Sequence, residues 1–86
     1  MRSRATRAFW AAFQKLPESV QKTSGKQYRL WIQDPNHPSV KFKKVQLYWS
    51  ARINDNHRAL GIMNDDTVIW FWIGNHSEYE KLLKGK

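Results

Sequence analysis

Three residues of the chain could together handle a phosphate ester: Arg52, Arg58 and His76. The two arginines flank Asn54-Asp55-Asn56, a turn-forming run, so strands pairing across it would set the guanidinium groups close together. Like charges so placed repel unless an anion compensates them. Two candidates meet that need. Asp55 lies in the turn itself, and the other candidate is an RNA phosphate, which the forked donors of arginine can grip at two points. His76 follows an apolar segment in WFWIGNHSEYEKLL, at a strand-to-helix corner where a side chain can project over a sheet. An imidazole there can give or take a proton near neutrality. Histidines at such corners also serve as surface or N-cap-region groups, and the residues alone leave both roles open.

Lys41 and Lys43 share one face of an alternating segment, with Lys44 beside them. They could extend a track for an RNA backbone, or they could simply solvate an edge strand. Other chemistries lack their patterns. His37, His57 and His76 are far apart in sequence and do not have the close spacing of common zinc sites. No glycine-rich phosphate loop is present, and neither Ser50 nor Ser77 sits in a G-x-S-x-G turn. Neither a metal nor a small-molecule cofactor is therefore expected.

These residues belong to a chain of 86 with 15 Lys and Arg against 7 Asp and Glu, a formal charge of +8. A field of that sign attracts phosphate polymers, acidic proteins and anionic lipid surfaces alike, so it names a class of partner and no activity. The absence of cysteine excludes both a disulfide framework and a thiolate metal site. The basic MRSRATR is not followed by a signal-like apolar run, and nothing approaches the ~20 apolar residues of a membrane-spanning helix. The expectation is one soluble cytoplasmic domain over 1–86 with no membrane partner. Five Trp, four Phe and three Tyr supply core anchors for so short a chain.

The elements that must position the arginines and the histidine follow from periodicity. Phe9, Phe13 and Leu16 fall at i, i+4 and i+7, with Thr6 available as an N-cap, which predicts a helix over 6–16. A second helix starts at Pro17 and runs to Asp34-Pro35, with Val20, Ser24, Gln27 and Trp31 on one side. Ser24 and Gly25 are small enough to let another helix approach, so an antiparallel helical hairpin is expected. After DPNHPS the period moves toward 2. Strands are expected over 40–45, 47–53, 57–63 and 67–73 with short turns between them, hence an antiparallel meander. In the last strand Val68, Trp70 and Trp72 are expected on one face and Ile69, Phe71 and Ile73 on the other, so both faces need cover. Residues 76–83 are expected as a closing helix too short to cover the second of them completely, so either long side chains finish the cover or apolar surface beside basic residues remains as a docking site for another chain.

Against this background YWSARINDNHRAL resembles the central hairpin of the RelE/ParE superfamily of small bacterial toxins, above all its YoeB and RelE branches. The helical region with KLPESVQK, the lead-in PNHPSVKFKKV and the ending WIGNHSEYEKLL resemble members of the same superfamily, in the same order and spacing. The resemblance implies an α+β fold, with an N-terminal helical hairpin on a four-stranded, mainly antiparallel sheet and a short C-terminal helix. It also implies the toxin of a type II toxin-antitoxin pair, a ribosome-dependent mRNA endonuclease that uses the substrate 2′-hydroxyl and needs no metal.

The implied partners are a cognate antitoxin, the ribosome and mRNA, with DNA reached only through the antitoxin. Arg58 matches the arginine that stabilises the phosphate, and Arg52 the second member of a basic pair. His76 falls where the family supplies a histidine or arginine, while Lys41, Lys43, Lys44 and Ser50 are the implied RNA contacts. Four departures stand beside the match. Ser50 occupies a position where RelE-like sequences carry lysine, and no carboxylate occurs between Pro38 and Ala51, where YoeB-like sequences supply a glutamate. Tyr79 stands one residue before the usual terminal aromatic, about 100° around a helix, and is a secondary candidate. Finally, the chain reads as starting directly in its first helix, where many relatives begin with a strand. Two rivals share the fold: a ParE-like inhibitor of DNA gyrase, and a member that binds RNA or an antitoxin without cutting.

Overall fold

Thr6 caps the first helix: its side chain accepts from the Phe9 backbone N–H at 3.1 Å. The computed structural model describes residues 1–85, in the order β1 (Arg2–Ala5), α1 (Arg7–Gln14), α2 (Glu18–Gln33), β2 (Lys43–Val45), β3 (Tyr48–Asn54), β4 (His57–Asn64), β5 (Thr67–Asn75) and α3 (His76–Lys84). The protein is α+β, and β2 to β5 form the expected antiparallel meander.

The sheet has five strands, not four, in the order β1-β5-β4-β3-β2. The chain does not begin in a helix: Arg2–Ala5 pairs in parallel with β5, from Arg2 opposite Thr67 to Ala5 opposite Trp70. RSRA has no apolar alternation, so periodicity gave no sign of it. The strand forms through main-chain bonds to a neighbour that is already ordered, flanked by Arg2 N–H to Asp66 C=O and Thr6 N–H to Trp70 C=O, both 3.0 Å. The first predicted strand shortens to Lys43–Val45 because Lys41 takes a left-handed φ of 48° and breaks the extended run.

Phe9, Val20, Trp31, Val40, Ala51, Ile53, Ala59, Val68, Trp70 and Ile73 make one core between the helices and the sheet. The strict alternation expected for β5 fails in the middle. Leu60 pairs with Trp72 but the next residue, Gly61, pairs with Trp70, so Phe71 is an inserted residue. After this bulge every side chain changes face: Ile73 joins Val68 and Trp70 in the core, and Trp72 turns to the opposite side, where it stacks on Tyr79. The bulge has a local reason at Gly61, where a Cβ would come within 2.7 Å of Val68 and 3.0 Å of the Trp70 ring.

The helices also depart from the expected close hairpin. A Cβ on Gly25 would meet only the Arg29 side chain of its own helix, at 3.7 Å. Ser24 and Gly25 instead line an apolar cavity of about 400 Å³ under the helices, together with Phe9, Phe13, Trp31 and Trp70. On the other face α3 covers only part of the sheet, and Ile62 stays 47% exposed there.

Candidate active site

Arg52 and Arg58 are direct partners across β3 and β4, as the turn sequence requires. Their charges are compensated differently. Arg52 Nη2 pairs with Asp55 Oδ1 at 2.5 Å, and this hydrogen bond holds the Asp55 carboxyl below its usual range. Arg58 has no carboxylate partner among the described residues. Its Nη1 donates to the carbonyls of Asn54 at 2.6 Å and His57 at 2.9 Å, which orients the guanidinium without a carboxylate in direct contact.

Ser50 lies two residues before Arg52 on the same face of β3 and faces Lys43 on β2. Its hydroxyl is buried and accepts from the Tyr79 hydroxyl at 3.1 Å. Tyr79, which the sequence register put second, is thereby brought into the centre of the site, only 8% exposed. It belongs there because the bulge turns Trp72 toward it, with the rings 6.5 Å apart.

His76 opens α3. Its backbone N–H donates to Asn56 C=O at 2.7 Å, tying the helix start to the turn that carries Asp55. Asn75 caps the helix by accepting from the Glu78 N–H at 2.9 Å. Gly74 makes the corner possible: a Cβ there would lie 2.5 Å from the Trp72 ring and 3.0 Å from Glu78. The imidazole sits 5.5 Å from the Tyr79 ring, and its Nδ1 is 3.8 Å from Glu80 Oε2.

Lys41, Lys43, Ser50, Arg52, Arg58, His76 and Tyr79 together line one pocket of about 180 Å³. Seven of the eight residues singled out from sequence therefore meet in one place. Lys44 does not, since its partner is Trp49 and it points to the other face of β2. Glu80 lies outside the expected set, yet its position four residues after His76 on a helix puts it on the same side. The start of α3 offers little further positive charge, since its His76 and Glu78 N–H groups are taken by Asn56 and Asn75 and Glu78 stands in its first turn. A site with this excess of cations is built for an anion, and its hydroxyl and imidazole can exchange protons with it. The larger cavity under the helices is mostly apolar and offers no comparable set.

No known family profile matches the sequence, and no curated protein is significantly similar to it. Solved structures do share the fold. The RelB-RelE antitoxin-toxin complex from Methanococcus jannaschii superposes with a TM-score of 0.71 at 17% identity, over 92% of this chain and 96% of that one. YafQ from E. coli gives 0.67 at 11% identity over 92% and 98%. The YoeB/ParE toxin from Agrobacterium tumefaciens gives 0.66 at 18% identity over 88% and 99%. The fold is thus that of the RelE, YoeB, YafQ and ParE-like toxins over most of the chain.

Proposed function

We propose that this protein is the toxin of a type II toxin-antitoxin pair and cuts mRNA on the ribosome. The observation that carries the reading is the convergence of Arg58, Arg52, Lys41, Lys43, His76 and Tyr79 on one pocket, in the fold of proteins solved as toxins and toxin-antitoxin complexes. In the proposed reaction the 2′-oxygen bonds to the adjacent phosphorus, the bond from phosphorus to the 5′-oxygen breaks, and the 2′-proton leaves as the 5′-oxygen gains one. Arg58 and Arg52 stabilise the charge on the crowded phosphate, the task for which preoriented donors are most effective. His76 exchanges a proton with the reacting oxygens, with Glu80 as its nearest carboxylate. Tyr79 and Ser50 form the polar floor, and Lys41 and Lys43 hold the flanking backbone. Lys44, on the other face, is left as a ribosomal RNA contact. The antitoxin is an acidic, partly apolar chain, matched to the +8 charge and the half-covered sheet.

Ser50, a neutral hydroxyl where RelE-like sequences carry lysine, favours a second reading in which the fold binds without cutting, as a ParE-like gyrase inhibitor or as an RNA- or antitoxin-binding protein. Primer extension across a reporter mRNA in a translation extract separates the two. The endonuclease reading expects wild-type stops within codons, reduced about 10²-fold or more in His76→Ala and Arg58→Ala. Intact mRNA together with blocked gyrase supercoiling would establish the second reading.

A further inference from the structure

Gln27 projects from α2 into the core on the far side of the sheet from the pocket and is 6% exposed. Both N–H donors and the oxygen of its amide are engaged. Nε2 donates to the carbonyls of Ser39 at 3.1 Å and Arg52 at 2.9 Å, and Oε1 accepts from the Ser39 hydroxyl at 3.0 Å. One buried side chain thus joins two separate stretches of main chain. One stretch is β3 at Arg52, the last regular position before the register shifts toward Asn54. The other is the segment that leads through Val40 to Lys41.

These two stretches are also bound to each other. The Arg52 N–H donates to Val40 C=O at 2.7 Å, and the Arg52 side chain reaches the same Ser39 carbonyl through Nη1 at 3.5 Å. Lys41 then leaves the segment in its left-handed conformation, which directs its side chain to the pocket. An apolar residue of equal length would fill the same space in α2 at lower desolvation cost, so helix packing alone does not account for an amide here. What the amide adds is a fixed position for two carbonyls, one belonging to Arg52 and the other two residues before Lys41.

We propose that Gln27 is a positioning residue that sets the Arg52 guanidinium and the Lys41 amine from behind the sheet. The choice of an RNA phosphate as their ligand rests on the function proposed above, whereas the positioning does not depend on it. Two variants test it: Gln27→Met, which keeps length and burial, and Val20→Ala, which loosens the same buried face of α2 without touching these carbonyls. Each is followed by thermal unfolding, by the ¹⁵N-¹H signal of the Arg52 side chain, and by titration with an RNA trinucleotide made uncleavable by 2′-O-methyl groups.

Gln27→Met should bind the trinucleotide about tenfold more weakly than wild type and shift or broaden the Arg52 signal. Val20→Ala, at an equal or lower melting temperature, should match wild type in both. Gln27→Glu, which has the same shape but presents a carboxylate to the two carbonyls, should behave as Gln27→Met and provides the comparison if the methionine variant fails to fold. A folded Gln27→Met with wild-type affinity and an unmoved Arg52 signal would overturn the proposal, as would an equal loss in Val20→Ala. If wild type binds no trinucleotide, the RNA reading fails, and the Arg52 signal alone decides the positioning.

Discussion

Lys41 holds a conformation that costs an L residue roughly 1–2 kcal/mol, and it does so at the rim of the pocket, where stored strain often serves a function. Glycine carries no such penalty. Lys41→Gly should therefore be more stable than Lys41→Ala by about 0.5–1 kcal/mol in urea unfolding, while both lose the amine and cut RNA equally poorly. Asp55 is the opposite case, an exposed carboxylate that competes with any bound phosphate for Arg52. Asp55→Asn should tighten binding of the uncleavable trinucleotide and steepen its salt dependence by about one phosphate contact. Because the Asp55 carboxyl is held below its usual range, what the pair adds to stability is present above the ordinary carboxylate pKa of about 4. It is lost progressively as the pH falls below that range and through the lower folded value.

At this scale the sequence was informative wherever chemistry and turn spacing coincide. Arg52 and Arg58 could be paired from the turn alone. Tyr79 stays a secondary candidate on sequence because its place in the site depends on the bulge at Phe71, one strand earlier, and no residue near Tyr79 announces it.

Among the elements, the antiparallel meander and all three helices were legible from periodicity and turn residues. Three features were not, each for a physical reason. β1 has no apolar pattern and exists through backbone pairing to β5. The bulge at Phe71 follows from the tight approach of Val68 and Trp70 to Gly61, a contact between strands that no single strand encodes. Gly25 suits a helix contact by its size but lies beside a cavity. The two glycines should therefore respond in opposite ways. Gly25→Ala meets no obstacle and should raise stability by about 1 kcal/mol through helix propensity. Gly61→Ala forces its neighbours apart and should lower stability by about 1–3 kcal/mol. Chemical denaturation of both variants checks the pair, and a stabilised Gly61→Ala would refute the account of the bulge.

Over the whole molecule the two faces of the sheet have separate tasks. The helix side holds the aromatic core and, through Gln27, the main chain behind the arginines. The opposite side gathers Lys41, Lys43, Arg52, Arg58, His76 and Tyr79 around a buried serine hydroxyl. Net charge brings a polyanion to either face, and on this one the cations meet an imidazole and a phenol that can exchange protons. If this pocket cuts through attack by the 2′-oxygen, the ends of the cleaved RNA record it. When mRNA on translating ribosomes is exposed to the wild-type protein, the new termini should be a 2′,3′-cyclic phosphate and a 5′-hydroxyl, and a 2′-O-methyl group at the cut nucleotide should abolish cleavage. Intact mRNA at saturating protein, or termini bearing a 3′-hydroxyl and a 5′-phosphate, would contradict it.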